Sequence, residues 1–132
     1  MAILRNSRIY KDFSFTFNSH PSSSDVVTKT DEESIKQSLK NLILTKNYSR
    51  PFHPEIGCQI HGLLFENWDP ILESTMKQTI IDLVDKFEPR VRILDIVLNV
   101  MPDENYIDLT LEFQIINSEK PVTLKTVLTR VR

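Results

Sequence analysis

The sequence predicts an α+β domain in which two main helices pack on a small antiparallel β-meander. Two stretches repeat apolar residues at intervals of three and four, as one face of a helix does. Three later stretches alternate apolar and polar residues, and short turn sequences separate them. Short turns between successive strands favour antiparallel pairing, and the helices then cover one face of the sheet.

An extended N-terminal arm and linker is predicted at residues 1–29, ahead of a single α+β domain at residues 30–132. In the arm, Phe13, Phe15 and Phe17 alternate with polar residues, which puts three rings on one side of an extended segment. Two interpretations of these rings stay open. They either pack on the protein's own core or dock on another subunit.

The first helix is predicted over residues 31–45. Thr30 is a suitable N-cap, and Glu33 three residues later completes a capping box. Lys46 lies near the C-terminal end, where a positive charge suits the helix dipole. The apolar face of this helix is formed by Ile35, Leu39, Leu42 and Ile43.

A long loop, residues 47–62, follows this helix. Pro51 and Pro54 prevent a regular helix and hold the residues before them extended. Gly57 supplies a backbone angle that other residues resist. A short helical turn is then predicted on Ile60, Leu63, Leu64 and Phe65.

The second helix is predicted over residues 70–87. Asp69 is a good N-cap and Pro70 a good first helical residue. Pro89 ends the helix, because the residue before a proline avoids the α region. The apolar stripe consists of Leu72, Met76, Ile80, Leu83 and Phe87.

Three strands follow, joined by turns at residues 102–105 and 117–121. The middle strand alternates most strictly, which is typical of a sheet with one face buried. The residues predicted to face the core are Leu94, Ile96, Leu98 and Val100, then Ile107, Leu109, Leu111, Phe113 and Ile115, then Val122, Leu124 and Leu128.

The composition limits the classes of function. A length of 132 residues fits one domain, and a formal charge of -2 leaves no basic footprint for nucleic acid or an anionic membrane. No apolar run approaches the roughly 20 residues that cross a bilayer, and the N-terminus lacks the apolar core of a signal peptide. Cys58 is the sole cysteine, which excludes an intrachain disulfide and favours a reducing compartment.

Residues suited to metal or nucleophilic chemistry are few. Zinc sites usually take four ligands, whereas His53, Cys58 and His61 supply three with a single thiol. Two loop histidines and a small buried thiol are the simpler interpretation. Gly57 and Gly62 are too few for a Gly-rich phosphate loop. We therefore expect no metal, cofactor or small-molecule ligand.

Carboxylate catalysis stays open as an alternative. Glycoside hydrolysis needs two carboxyl groups on opposite sides of a bond, one of them protonated. Any chain of this size carries such residues, so the pattern assigns no catalytic residue. The candidates at loops and element ends are Glu55, Glu66, Asp69 and Glu88.

Three motifs in order resemble a known family. They are SIKQSLKNLILTKNYSRPFHPEIGC (34–58), LLFENWDPI (63–71) and FEPRVRI (87–93). Together they are similar to the baseplate wedge and sheath-initiator proteins of contractile tails, which include a small baseplate protein of T-even phages and relatives in type VI secretion and R-type pyocins. The resemblance covers about residues 30–130. It implies a non-enzymatic structural protein of a phage tail, made in the host cytoplasm and carried in the virion.

The resemblance also implies partners and contacts. Family members bind the helical core bundle of the wedge and present a sheet from which the tail sheath protein begins to polymerise. The family's Glu-Pro-Arg contact with the core bundle falls on Glu88, Pro89 and Arg90. Arg50 lies in the Arg-Pro loop, where Tyr48-Ser49 replaces the Gly and acidic residue of many relatives.

The residues themselves agree with a docking role for this corner. Pro89 fixes a backbone angle and so holds its neighbours on a rigid corner. Arg90 offers a planar fork of donors that suits a carboxylate or helix-end carbonyls of a partner. The alternative is an internal Glu88–Arg90 or Arg50–Glu88 pair that only joins helix to loop.

The C-terminal strand, residues 121–131, offers a second surface. The edge of a small open meander carries unpaired N–H and C=O groups, to which another chain can add a strand. Lys125 and Arg130 either guard this edge against random pairing or steer an acidic sheath strand towards it.

Overall fold

The computed structural model describes residues 11–14, 16–26, 28–101, 103–116 and 118–129, with the side chains of 28–30 left out. By its internal contacts the chain divides into two compact units, residues 1–38 and 39–132. The prediction of an arm at 1–29 before a domain at 30–132 stays a prediction.

The first unit contains a two-stranded antiparallel ribbon. Strand β1 (Lys11–Phe13) pairs with β2 (Thr28–Thr30), and the Gln37 side chain donates a 2.8 Å hydrogen bond to the Phe13 carbonyl. Phe13 is 57% exposed and Phe17 is 67% exposed, so neither ring is packed in a core. The third ring of the predicted row, Phe15, lies outside the described residues.

Helix α1 (Glu32–Leu44) confirms the first predicted helix, one residue shorter at each end. The Ile35 N–H donates a 3.1 Å bond to the carbonyl of Asp31, the residue that follows β2. The predicted Thr30 cap falls on a side chain outside the described ones. The buried apolar residues of α1 are Ile35, Leu39 and Ile43.

Two further helices open the second unit. Helix α2 (Ile60–Leu63) is the predicted short turn, and α3 (Pro70–Phe87) has the predicted bounds. The Asp69 carboxylate caps α3 by accepting a 2.6 Å bond from the Leu72 N–H. The fully or largely buried residues of α3 are Leu72, Met76, Ile80, Leu83 and Val84.

The second unit also contains the β-meander. Strands β3 (Val91–Met101), β4 (Tyr106–Ile115) and β5 (Pro121–Thr129) pair antiparallel in the order β3-β4-β5, with β4 in the centre. Helix α3 contacts β3. All five apolar residues predicted to face the core from β4 are buried. The α+β class with an antiparallel meander is therefore confirmed.

The inward face of β3 differs from the prediction at Leu94. Its side chain is 50% exposed, whereas Ile96 and Leu98 are buried as expected. The pairing with β4 shifts between Ile93 and Asp95, so Leu94 is the extra residue of a β-bulge. One inserted residue reverses the alternation, which moves Leu94 off the core face.

Candidate docking site

The Glu-Pro-Arg corner is a tight junction between α3 and β3. Glu88 is the last capped position of α3, and its N–H donates a 2.8 Å hydrogen bond to the Val84 carbonyl. The Glu88 carbonyl in turn accepts a 3.2 Å bond from the Val91 N–H at the start of β3. The Arg90 carbonyl accepts a 3.0 Å bond from Ile116, just past the end of β4. The corner is thus fixed to a helix and to two strands.

An ion pair within the corner orients the arginine. Arg90 donates through Nε to Glu88 Oε1 and through Nη2 to Oε2, the second bond measuring 2.7 Å. The Glu88 side chain is 4% exposed and the Arg90 side chain 32% exposed. Parallel double bonds of this kind set the plane of the guanidinium as well as its position.

This geometry separates the roles of the three motif residues. The internal Glu88–Arg90 pair, one of the two sequence-based alternatives, is formed. Buried Glu88 cannot reach a partner's basic group, while exposed Pro89 and partly exposed Arg90 can be reached. Arg50 is exposed on the loop between α1 and α2.

The loop between α1 and α2 is closed at its base. The Cys58 N–H bonds to the Thr45 carbonyl at 2.7 Å, and Lys46 and Cys58 form a parallel bridge. Gly57 has φ +143°, and a Cβ there would lie 2.9 Å from the backbone of Lys46 and Asn47. Only glycine fits this close approach. We call residues 45–58 the base-closed loop.

The tip of the base-closed loop exposes two aromatic rings that sequence reasoning missed. Tyr48 is 81% exposed and Phe52 is 97% exposed, on either side of exposed Arg50. Both aromatic residues have positive φ, 63° and 70°, which costs about 1–3 kcal/mol each for a residue with a side chain. The sequence signal that could have predicted this exposed pair is the presence of an aromatic residue on each side of Arg50-Pro51.

Charge effects link this loop to the end of α3. The pKa of Glu55 is lowered by a hydrogen bond from its own backbone N–H, and then by a 3.3 Å bond to His53 and the charges of His53 and Lys86. Lys86 lies in the last turn of α3, directly before the corner.

The residues weighed for metal or nucleophilic chemistry have separate partners. His61 Nε2 lies 3.1 Å from the Leu44 carbonyl, and His53 pairs with Glu55. Cys58 is 1% exposed, and burial raises the pKa of its thiol. Among the described residues, no three side chains of the ligand-forming types are grouped to hold a metal ion.

The second predicted surface is the outer edge of β5. Among the described residues, β5 pairs with β4 on one side only. Lys125 is exposed at the middle of the strand, while Val122, Leu124, Thr126 and Leu128 face inward and are buried. Arg130 lies outside the described residues. In the described ranges, none of the helices has the length and apolarity to cross a membrane.

A family profile and a relative in sequence both match this chain, and both are described as baseplate wedge proteins. Residues 29–120 match the profile of the family described as baseplate wedge protein gp25. Baseplate wedge protein gp25 of Enterobacteria phage T4 is 36% identical over 96 residues, which is 71% of this chain and 71% of the T4 protein.

Three solved structures share the fold at 18–19% identity. A crystal structure described as a proposed tail lysozyme of Geobacter sulfurreducens has a TM-score of 0.73, covering 80% of this chain and 96% of that one. A chain of the anti-feeding prophage baseplate has a TM-score of 0.64, with coverage of 93% and 87%. A chain of the postcontracted pyocin R2 baseplate has a TM-score of 0.60, with coverage of 74% and 96%.

The fold is shared with a chain of the anti-feeding prophage baseplate and with a chain of the pyocin R2 baseplate. The chain belongs to the baseplate wedge protein gp25 family. It is accordingly a component of the tail baseplate and so of the virion.

Proposed function

We propose that this protein docks on the helical core bundle of the wedge and offers its β5 edge to the first strand of the tail sheath. One observation carries the docking half of the proposal. Buried Glu88 holds the Arg90 guanidinium in a fixed plane on a turn that α3, β3 and the end of β4 all brace. A donor group oriented before binding loses less conformational entropy when the partner arrives.

The partner surface that suits this corner is the end of a helix or an acidic helix face. Arginine forks bind carboxylates and the carbonyls of helix C-termini. Glu88 acts as a positioning residue, since its carboxylate is buried against Arg90. Pro89 adds a rigid apolar contact beside the charge.

The base-closed loop extends this docking surface. Exposed aromatic residues and arginines are the residue types that most often dominate binding energy at interfaces. Tyr48 and Phe52 are held exposed at positive φ, and Arg50 lies between them. We assign these three residues to the same wedge contact as Arg90.

The β5 edge supports the sheath half of the proposal. A strand that pairs on one side only leaves main-chain donors and acceptors for another chain. Lys125 is exposed at mid-strand, where it attracts an acidic strand and repels a basic one. Arg130, the residue after Thr129 in the sequence, has the same expected role.

We also propose that the protein is not an enzyme. A glycosidase needs one carboxyl whose pKa is raised, yet the pKa of Glu55 is lowered. Glu88 is occupied by Arg90, and the Asp69 carboxylate caps α3. A peptidoglycan hydrolysis assay with Glu55→Gln as control tests this, and activity lost in that folded variant would support the hydrolase alternative.

Binding of the purified wedge core bundle to wild type, Arg90→Ala and Arg92→Ala tests the docking half. Arg92 is an exposed arginine two residues along in β3, and so a matched control. We expect Arg90→Ala to weaken binding by about tenfold or more, and Arg92→Ala to stay within about twofold.

Folding must be separated from docking in that test. Arg90→Ala leaves a buried carboxylate without its partner, which costs about 3 kcal/mol in comparable pairs. The double variant Glu88→Gln with Arg90→Ala removes the stranded charge, and circular dichroism checks both. Unchanged binding by a folded Arg90 variant would contradict the docking proposal.

The sheath half is tested by charge reversal at the strand edge. Lys125→Glu should reduce the number of sheaths that start on purified baseplates, counted by electron microscopy. Lys120→Glu, in the turn before β5, is the matched control. Equal sheath initiation by both variants would leave the edge without its proposed steering role. Deletion of residues 121–132 is a poorer test, because it removes four buried core residues of β5.

A further inference from the structure

A cleft of about 700 Å³ opens beside the C-terminal end of β5. Its walls come from the end of α1, from α2 with the residues that follow it, and from Leu128 and Thr129 of β5. Neither β3 nor β4 contributes a lining residue among the described ones. The cleft therefore lies beside the last residues of β5 and away from the other two strands of the sheet.

The lining of the cleft suits an apolar side chain. Leu44 is 39% exposed and Phe65 is 51% exposed, so both present apolar surface to solvent. Gly62 contributes no side chain, and a Cβ there would meet nothing within 4 Å. The basic groups in the lining are Lys46 and His61, whose Nε2 is engaged with the Leu44 carbonyl.

The period of a β-strand connects the cleft to the β5 edge. Every second residue of β5 points to the helix-covered face, ending with Leu128 at the wall of the cleft. A strand added beside β5 places its own alternate side chains on that same face. A side chain of that strand level with Leu128 would lie next to the cleft, because Leu128 forms part of its wall.

We propose that this cleft is a specificity pocket that takes a bulky apolar side chain from the sheath strand added to β5. The inference rests on the proposed function of β5 as the sheath-docking edge. The occupant is an extended segment of the tail sheath protein with alternating apolar residues and an acidic flank, since Lys46 disfavours a basic one. A volume of about 700 Å³ is within the range of sites that bury ligand groups, about 300–1,000 Å³.

The test is binding of purified monomeric sheath protein of the same virus to the full chain carrying substitutions at Gly62. Gly62→Trp puts an indole ring in the cleft. Ser74→Trp puts the same ring on an exposed position of α3 outside the cleft and is the matched control. We expect Gly62→Trp to weaken binding by about tenfold or more, and Ser74→Trp to bind like wild type.

Circular dichroism would reveal whether Gly62→Trp fails to fold. A second variant tests the cleft independently in that case. Phe65→Ala removes one wall of the cleft at a half-exposed position and should weaken sheath binding in the same direction. Sheath binding that is unchanged by both folded variants, yet weakened by Lys125→Glu, would overturn the pocket and leave the β5 proposal standing.

Two further outcomes identify other failures. Absence of sheath binding by wild type would overturn the proposed function of β5, and the pocket with it. Sedimentation of the chain alone would detect self-association, and a dimer that Gly62→Trp dissociates would replace the sheath strand with a second copy as occupant.

Discussion

At Glu88 a buried carboxylate holds an arginine whose own side chain reaches solvent. A buried ion pair often adds little net stability compared with apolar residues of the same size, because both charges lose their hydration. Removing one partner, however, leaves the other charge stranded. We therefore infer that the main role of the Glu88–Arg90 pair is to orient the Arg90 guanidinium, and that its net contribution to stability is small.

Glu88→Gln tests this orientation at the scale of one residue. The amide keeps the shape of the side chain but cannot accept both guanidinium bonds as an anion. We expect a loss of about 1–3 kcal/mol in the free energy of unfolding, measured in urea, together with weaker wedge binding. Glu119→Gln, exposed in the turn before β5, should change stability by less than about 0.5 kcal/mol. Unchanged wedge binding by folded Glu88→Gln would show that Arg90 needs no positioning.

Individual residues also show what sequence reasoning can resolve. Asp69, Pro70 and Pro89 each carry a strong local preference, and α3 has the bounds they predict. Leu94 carries no such preference, because its place in a bulge is set by the register of β4 opposite. Alternating apolar residues fit the strand on either side of the bulge, so the pattern alone did not reveal the shift.

At the scale of elements, the bulge divides β3 into two segments. The inward-facing positions are odd-numbered before the bulge and even-numbered after it. Leu94→Ala should cost less than about 1 kcal/mol, because half of that side chain is already in water. Ile96→Ala, two residues on, should cost about 2–5 kcal/mol because Ile96 is buried. Thermal or urea unfolding of the two variants measures the difference, and equal costs would place Leu94 in the core after all.

The base-closed loop depends on Gly57 in the same way. Gly57→Ala brings a Cβ against the backbone of Lys46 and Asn47 at a φ that side chains resist. We expect it to lower the free energy of unfolding by about 1–3 kcal/mol.

Gly62→Ala is the matched control for that substitution. Gly62 lies in helix α2 with open space around it, so alanine there should be neutral or should stabilise by up to about 1 kcal/mol. Equal effects at the two glycines would show that the loop is not closed by this backbone contact.

At the scale of the whole molecule, the parts of the site that adjoin in sequence were predictable and the parts that adjoin only in space were not. Glu88, Pro89 and Arg90 form one turn, and the order of the strands predicted β5 at an edge. The closure of the base-closed loop depends on tertiary structure, because Thr45 and Cys58 meet there through a backbone hydrogen bond. The cleft likewise joins Leu44, Gly62 and Leu128, which are far apart along the chain.

The central claim is that one small protein joins the wedge to the sheath through two separate surfaces. A cryo-EM reconstruction of the baseplate from the virus that encodes this chain tests it most directly. The account predicts Arg90 and Pro89 in contact with the helical core bundle, and a sheath strand hydrogen-bonded along β5. A reconstruction with the corner at residues 88–90 in solvent, or with β5 bare while the sheath contacts another protein, would contradict it.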